Sequence, residues 1–145
     1  MTLDGNTLDI TPLKKALKAY NNALMYTQKF ELRHEIDQQF YEFEMARASL
    51  IQHFEFCYEL SWKFMKRYIE MDGGNSGEIV SRKDLFRVSK ELRLINDFQA
   101  WVKYTRDRNR TSHLYDEDTA NEVYKTAKEF ILEFSTFVET IEKRT

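Results

Sequence analysis

Ala120-Asn121-Glu122-Val123-Tyr124-Lys125-Thr126-Ala127-Lys128-Glu129-Phe130-Ile131 opens the stretch that decides the fold. Continued through Phe134, Val138 and Ile141, its apolar residues Ala120, Tyr124, Ala127 and Ile131 recur at alternating spacings of four and three. Val123, Phe130 and Phe137 widen the stripe. That periodicity predicts a helix with a coiled-coil-like seam, and Asp116 stands where its N-cap should be. A helix so patterned is stable only when its apolar face is covered, so the rest of the chain has to supply helices that cover it.

It does. Thr11-Pro12 reads as an N-cap followed by proline at the first helical position, and Leu13, Leu17, Tyr20 and Leu24 follow at helical spacing, flanked by Ala16, Ala23 and Phe30. A second helix is expected from about Glu35 to Met71, a span free of Gly and Pro, with Ile36, Phe40, Phe43, Leu50, Phe54, Cys57, Met65 and Tyr68 on its buried side. Between Phe54 and Lys63 apolar residues lie nearly all round, which predicts burial on more than one side. Met71-Asp72-Gly73-Gly74-Asn75-Ser76-Gly77 ends that helix in a loop. It lacks the preceding strand and the Gly-Lys-Ser/Thr ending of a phosphate loop. Ser81 and Asp84 form a capping-box pattern for a short helix through about Leu92, and a further helix is expected from Leu94 to about Ser112. The fold class expected is all-α: an antiparallel four-helix up-and-down bundle with a short extra helix, one domain over residues 1–145, with residues 1–10 a loose arm.

A net charge of −2 argues against nucleic-acid attraction by the molecule as a whole, so a nucleic-acid role has to rest on a local basic patch. One cysteine excludes an internal disulfide, and with no bilayer-spanning apolar run and no signal-peptide pattern a cytoplasmic protein is expected. Eleven phenylalanines, eight tyrosines and two tryptophans leave two readings open, a rich monomer core or a subunit interface.

Chemistry concentrates in Arg108-Asn109-Arg110-Thr111-Ser112-His113-Leu114-Tyr115. In phase with Phe98, Val102 and Thr105 come Asn109 and Ser112, polar groups where a core-facing helix would carry Leu or Val. A second row runs Leu94, Trp101, Arg108, so Arg108 must reach the rim or find a polar partner. The pattern is that of a lined groove. Lys103, Arg106, Arg108 and Arg110 against Asp107 crowd positive charge onto the last helical turns, where it either caps the helix dipole or holds a phosphate. An imidazole can exchange a proton near neutral pH, so His113 could serve a ribose hydroxyl or a leaving oxygen while Arg108 stabilises charge building on phosphorus. Five residues correspond to about 140° of helical rotation, so either the helix ends before His113 or a second subunit completes the pair.

Other clusters read more plainly. Glu55, Glu59 and Lys63 share one face, read first as a solvated strip with a Glu59–Lys63 pair and second as carboxylates facing the groove. His53 and Cys57 share a face without further clustered ligands, so no metal site is expected there. Asp116-Glu117-Asp118 at a helix start reads as dipole partners of that helix.

The stretch Arg108, four residues, His113, any residue, Tyr115 resembles the motif of the HEPN domains, and within them of the nucleotidyltransferase substrate-binding proteins. The block from Phe54-Glu55 through Trp62-Lys63 is similar to that family's second-helix signature, and the resemblance covers nearly the whole chain. It implies a dimeric helical subunit working beside a separately encoded minimal nucleotidyltransferase. On one implied reading the chain is that enzyme's substrate-binding partner, holding a nucleotide or RNA phosphate in a dimer cleft through Asn109, Arg110, Ser112, Arg106 and Lys103. On the alternative it is a metal-independent ribonuclease of a toxin–antitoxin pair, cutting with Arg108 and His113 and silenced by its partner, in some pairs through adenylylation of the tyrosine matching Tyr115. The resemblance implies no cofactor. The chain does not read as the nucleotidyltransferase itself, which requires a Gly-Ser turn and paired aspartates on a sheet to hold two metal ions.

Overall fold

Asp116 begins the coiled-coil-like seam as expected: its extended backbone (φ −81°, ψ 120°) turns the chain into the helix, and its carboxylate accepts the Thr119 N–H. The structure, a computed structural model, describes residues 2–3, 6–31, 40–72, 77 and 79–145. Helices α1 (Thr11–Glu31), α2 (Phe40–Met71), α3 (Arg82–Glu91), α4 (Phe98–Asn109) and α5 (Glu117–Lys143) make up the body, with a 3-10 turn over Arg110–His113. The fold is all-helical. Among the described residues the departure lies in the N-terminal arm, where β1 (Thr2–Leu3) pairs antiparallel with β2 (Asn6–Thr7) and Leu8 is buried just beyond. The expected first turns of the second helix, with Glu35 and Ile36, lie outside the described residues, as do Gly73 to Ser76 of the glycine loop.

Helix α1 packs against both α2 and α5, and α2 packs on α5. The stripe expected in α5 is its buried face: Val123, Ala127, Phe130, Phe134 and Ile141 are fully enclosed. At the centre sits Trp101, with no exposure, ringed by Tyr58, Phe86, Tyr104, Phe130 and Phe137 at centroid distances of 5.3 to 6.5 Å. Most of these contacts are tilted or edge-on, the arrangement ring quadrupoles favour. The aromatics therefore divide: a core cluster, and the exposed set Tyr26, Phe40, Tyr41, Phe56 and Tyr115.

Helix ends follow local chemistry, with two adjustments. Helix α1 starts at Thr11 itself: the Ile10 carbonyl accepts from Lys14 N–H, and Asp9 takes the Thr11 N–H at 3.0 Å, so Thr11 is not the cap. Helix α3 carries the full capping box, with the Asp84 N–H on Ser81 Oγ and the Asp84 carboxylate on the Ser81 N–H. Helix α4 begins at Phe98 and not at Leu94, because Asp97 caps it through the Ala100 N–H and Arg93 (φ 60°) turns the chain ahead of it. The carbonyls of Leu92 and Arg93 left at that turn accept from the Arg144 guanidinium at 2.7 and 3.0 Å.

Candidate functional site

Because α4 buries Trp101, Tyr104 and Asp107, its core row differs from the one expected. Phe98, Val102 and Thr105 are half-buried and Asn109 is exposed. Val102, Thr105 and Asn109 line a surface cleft, while Phe98 packs against the edge of the core. The α-helix ends at Asn109, and the tighter turn carries the chain on to His113.

Arg108 finds the polar partners that its inward row demanded. Its Nε lies 3.2 Å from Glu59 Oε1, and its Nη1 lies 3.5 Å from Glu55 Oε2 and donates to Thr111 Oγ1 at 3.1 Å. Glu59 accepts in addition the indole N–H of Trp62 at 2.8 Å. The strip on α2 is therefore a carboxylate clamp facing α4, and Lys63, expected to pair with Glu59, instead lies over the Trp62 ring. Among the described residues, Arg108 Nη2 carries no hydrogen bond, so one edge of the fork stays open.

The other cations are balanced locally. Lys103 pairs with Glu129 at 3.2 Å, and Arg110 reaches Glu122 and Asp107. The contact with Glu122, then that with Asp107, raises the Arg110 pKa further. Asp107, 1% exposed, accepts from Arg106 and Arg110 on Oδ1 (3.3 Å each) and from Thr126 on Oδ2 at 2.6 Å. Its place one turn after Tyr104 was the available sign that it faces inward. Arg47 was also missed: 7% exposed, it joins α2 to α5 through Glu117 and Asn121, both at 2.8 Å. Phe43, Arg47, Leu50 and Phe54 share spacings of four, three and four, so the row was there to read.

His113 and Tyr115 are exposed and face each other, ring centroids 5.9 Å apart, with the phenol oxygen 3.5 Å from Nδ1. Ser112 is exposed and donates to the Asn109 carbonyl at 3.3 Å. Among the described residues no hydrogen bond or ion pair joins Arg108 to His113: the first faces α2 and the second faces solvent. His53 Nδ1 sits 2.8 Å from the Ser49 carbonyl, and Cys57 is buried, its thiol pushed up to about 12 by burial. No cluster of His, Cys, Asp or Glu among the described residues could hold a metal ion. No described helix is long and apolar enough to cross a membrane.

A second arginine, not singled out in the sequence, organises the neighbouring surface. Arg82 lies 4.0 Å above the Trp62 ring and donates to the Tyr58 hydroxyl at 2.9 Å, which meets Thr105 Oγ1 at 2.6 Å. These contacts span three helices, so no local pattern announces them.

The bundle resembles the solved structure of HI0074 from Haemophilus influenzae, described as the fold of a substrate binding domain of a nucleotidyltransferase. The TM-score is 0.80 at 31% identity, over 92% of this chain and 99% of that one. Fold and sequence thus define a helical protein of the substrate-binding-domain class. Residues 8–143 match the family described as nucleotidyltransferase substrate binding protein like, and the chain belongs to that family. It is also 41% identical over 99 residues to a Haemophilus influenzae protein named probable ribonuclease HepT, covering 67% of this chain and 68% of that one.

Proposed function

We propose that the chain is the helical partner of a separately encoded minimal nucleotidyltransferase, binding a nucleotide or RNA phosphate at the end of α4, with two copies forming the cleft. The observation that carries this reading is the helix end itself: an open edge of Arg108 and an exposed His113–Tyr115 pair, within a chain matched to the family almost end to end. Asn109 and Ser112 are exposed polar groups beside them, and Lys103, Arg106 and Arg110 supply cations whose present partners are surface carboxylates or Asp107. Co-purification tests the partnership. A small protein with a Gly-Ser and paired-Asp motif should bind and should be encoded nearby, and its absence sinks the reading.

The second reading, a metal-independent ribonuclease, is favoured by the accessible imidazole and by the name of the 41% identical relative. His113 would take the proton of a ribose 2′-hydroxyl, the 2′ oxygen would bond to phosphorus, and the 5′ oxygen would leave, taking a proton from solvent. Arg108 would hold the charge developing on the phosphoryl oxygens. Protein freed of its partner should then cut RNA in excess chelator, and His113→Ala should slow cutting by about 10²-fold or more. Intact RNA with a clean wild-type preparation leaves the binding reading alone. Tyr115, 86% exposed, is open to modification by the partner, which mass spectrometry of the co-expressed pair would detect as a nucleotide adduct.

A further inference from the structure

Between α3 and α4 runs a cleft of about 310 Å³ lined by Arg82, Lys83, Phe86, Val102, Thr105, Arg106 and Asn109. We propose that this cleft is a subsite for one nucleotide of a single-stranded RNA, adjoining Arg108; the proposal rests on the phosphate-binding reading above and extends it to a second surface. Three features single it out. Its wall of Phe86 and Val102 is apolar and its rim carries Arg82, Lys83 and Arg106, with no carboxylate in the lining. The cleft between α4 and α5 contrasts with it, since Lys103, Arg106, Arg110 and Lys125 there face Asp107, Glu122 and Glu129. A phosphate entering that second cleft would have to displace carboxylates; in the first, Arg82 and Lys83 make no ion pair among the described residues, and only Arg106 is shared with Asp107.

The second feature is preorganisation. Arg82 is held by the Trp62 ring beneath it and by the Tyr58 hydroxyl, so little side-chain freedom remains to be lost when it meets an anion. Lys83 is exposed and makes no ion pair among the described residues. The third is continuity. Arg108 contacts Glu59, Glu59 holds the Trp62 indole, Trp62 carries Arg82, and Arg82 lines the cleft. Asn109, next to Arg108 in the chain, also lines it and offers amide groups to a base edge. An apolar wall with cations at its edge suits a strand that places a base against hydrocarbon and its phosphate toward charge.

The test uses the full chain and a fluorescently labelled short RNA with 2′-O-methyl riboses, which cannot be cut through a 2′-hydroxyl. Binding is followed by anisotropy across a salt series. Lys83→Glu should weaken binding and reduce the slope of log K against log salt by about one. Val102→Trp, which fills the cleft, should weaken binding by about tenfold, within the cost of one lost base contact. Lys18→Glu, in the remote cleft between α1 and α5, should bind as wild type, and circular dichroism should show all three variants folded. Wild-type affinity and slope in Lys83→Glu and Val102→Trp, beside weakened binding in Arg108→Ala, would overturn the subsite and leave the phosphate reading standing. Equal weakening by Lys18→Glu would mean diffuse attraction and also overturn it. Failure of the wild type to bind RNA would remove both.

Discussion

Asp107 shows how much a single buried carboxylate can order. Almost without solvent, it takes hydrogen bonds from Arg106, Arg110 and Thr126, and so fixes two of the four cations on which any phosphate chemistry here depends. Removing it leaves the Thr126 hydroxyl buried without its partner, releases Arg106 and leaves Arg110 held by Glu122 alone. Asp107→Ala should therefore lower unfolding free energy by about 1–3 kcal/mol, the usual cost of an orphaned buried polar group. Urea denaturation checks this, and an unchanged midpoint would mean that the three bonds merely replace bonds to water. At this scale the sequence was partly readable. That Arg108 needs polar company followed from its row with Trp101, but the choice of Glu55 and Glu59 depended on how α2 turns toward α4, which no local spacing states. Arg82 was out of reach for the same reason, since its partners Tyr58 and Trp62 lie on another helix.

Elements are governed by their ends. The Ser81 and Asp116 caps were legible because a side chain bonding to a backbone N–H a few residues on is a local event. The start of α4 was misplaced because apolar Leu94 and Ile95, both buried in the turn, continued a helical pattern that Asp97 interrupts. The start of α5 also responds to acid. Its Glu117 carboxyl is held below its ordinary value of 4.5, first by the hydrogen bond from Arg47 and then, against desolvation, by the same residue's charge. Asp116 is lowered by its bonds to Thr119. A group depressed in the folded state contributes stability that is complete above its unfolded value and vanishes as pH falls through the folded one. Stability should therefore decline below about pH 4.5, and Glu117→Gln should flatten that decline while lowering stability at neutral pH. Urea midpoints at a series of pH values measure both, and parallel curves for wild type and variant would remove Glu117 from the account.

For the whole molecule, the seam in α5 was enough to give an all-helical fold, because a stripe that wide has to be covered by other helices. The clefts were less legible, since each is the space left between elements and depends on packing angles. Cooperative closure of the core has a direct readout in Cys57. Fully buried and with its thiol pushed up to about 12, it should resist a thiol reagent at pH 8 in the native protein and react completely in denaturant. Rapid native labelling would mean that α1 and α2 separate without global unfolding.

The placement of the two indoles has a practical corollary. Trp101 is sealed at the centre of the bundle, whereas Trp62 is only half covered and lies beneath the Arg82 guanidinium, which itself lines a cleft. The molecule is in this sense dichromatic, with one inner lamp that reports on the integrity of the scaffold and one outer lamp that reports on what settles beside it. Because the two emit from unlike surroundings, occupancy and unfolding can be told apart by colour and by quenching, without attaching any dye.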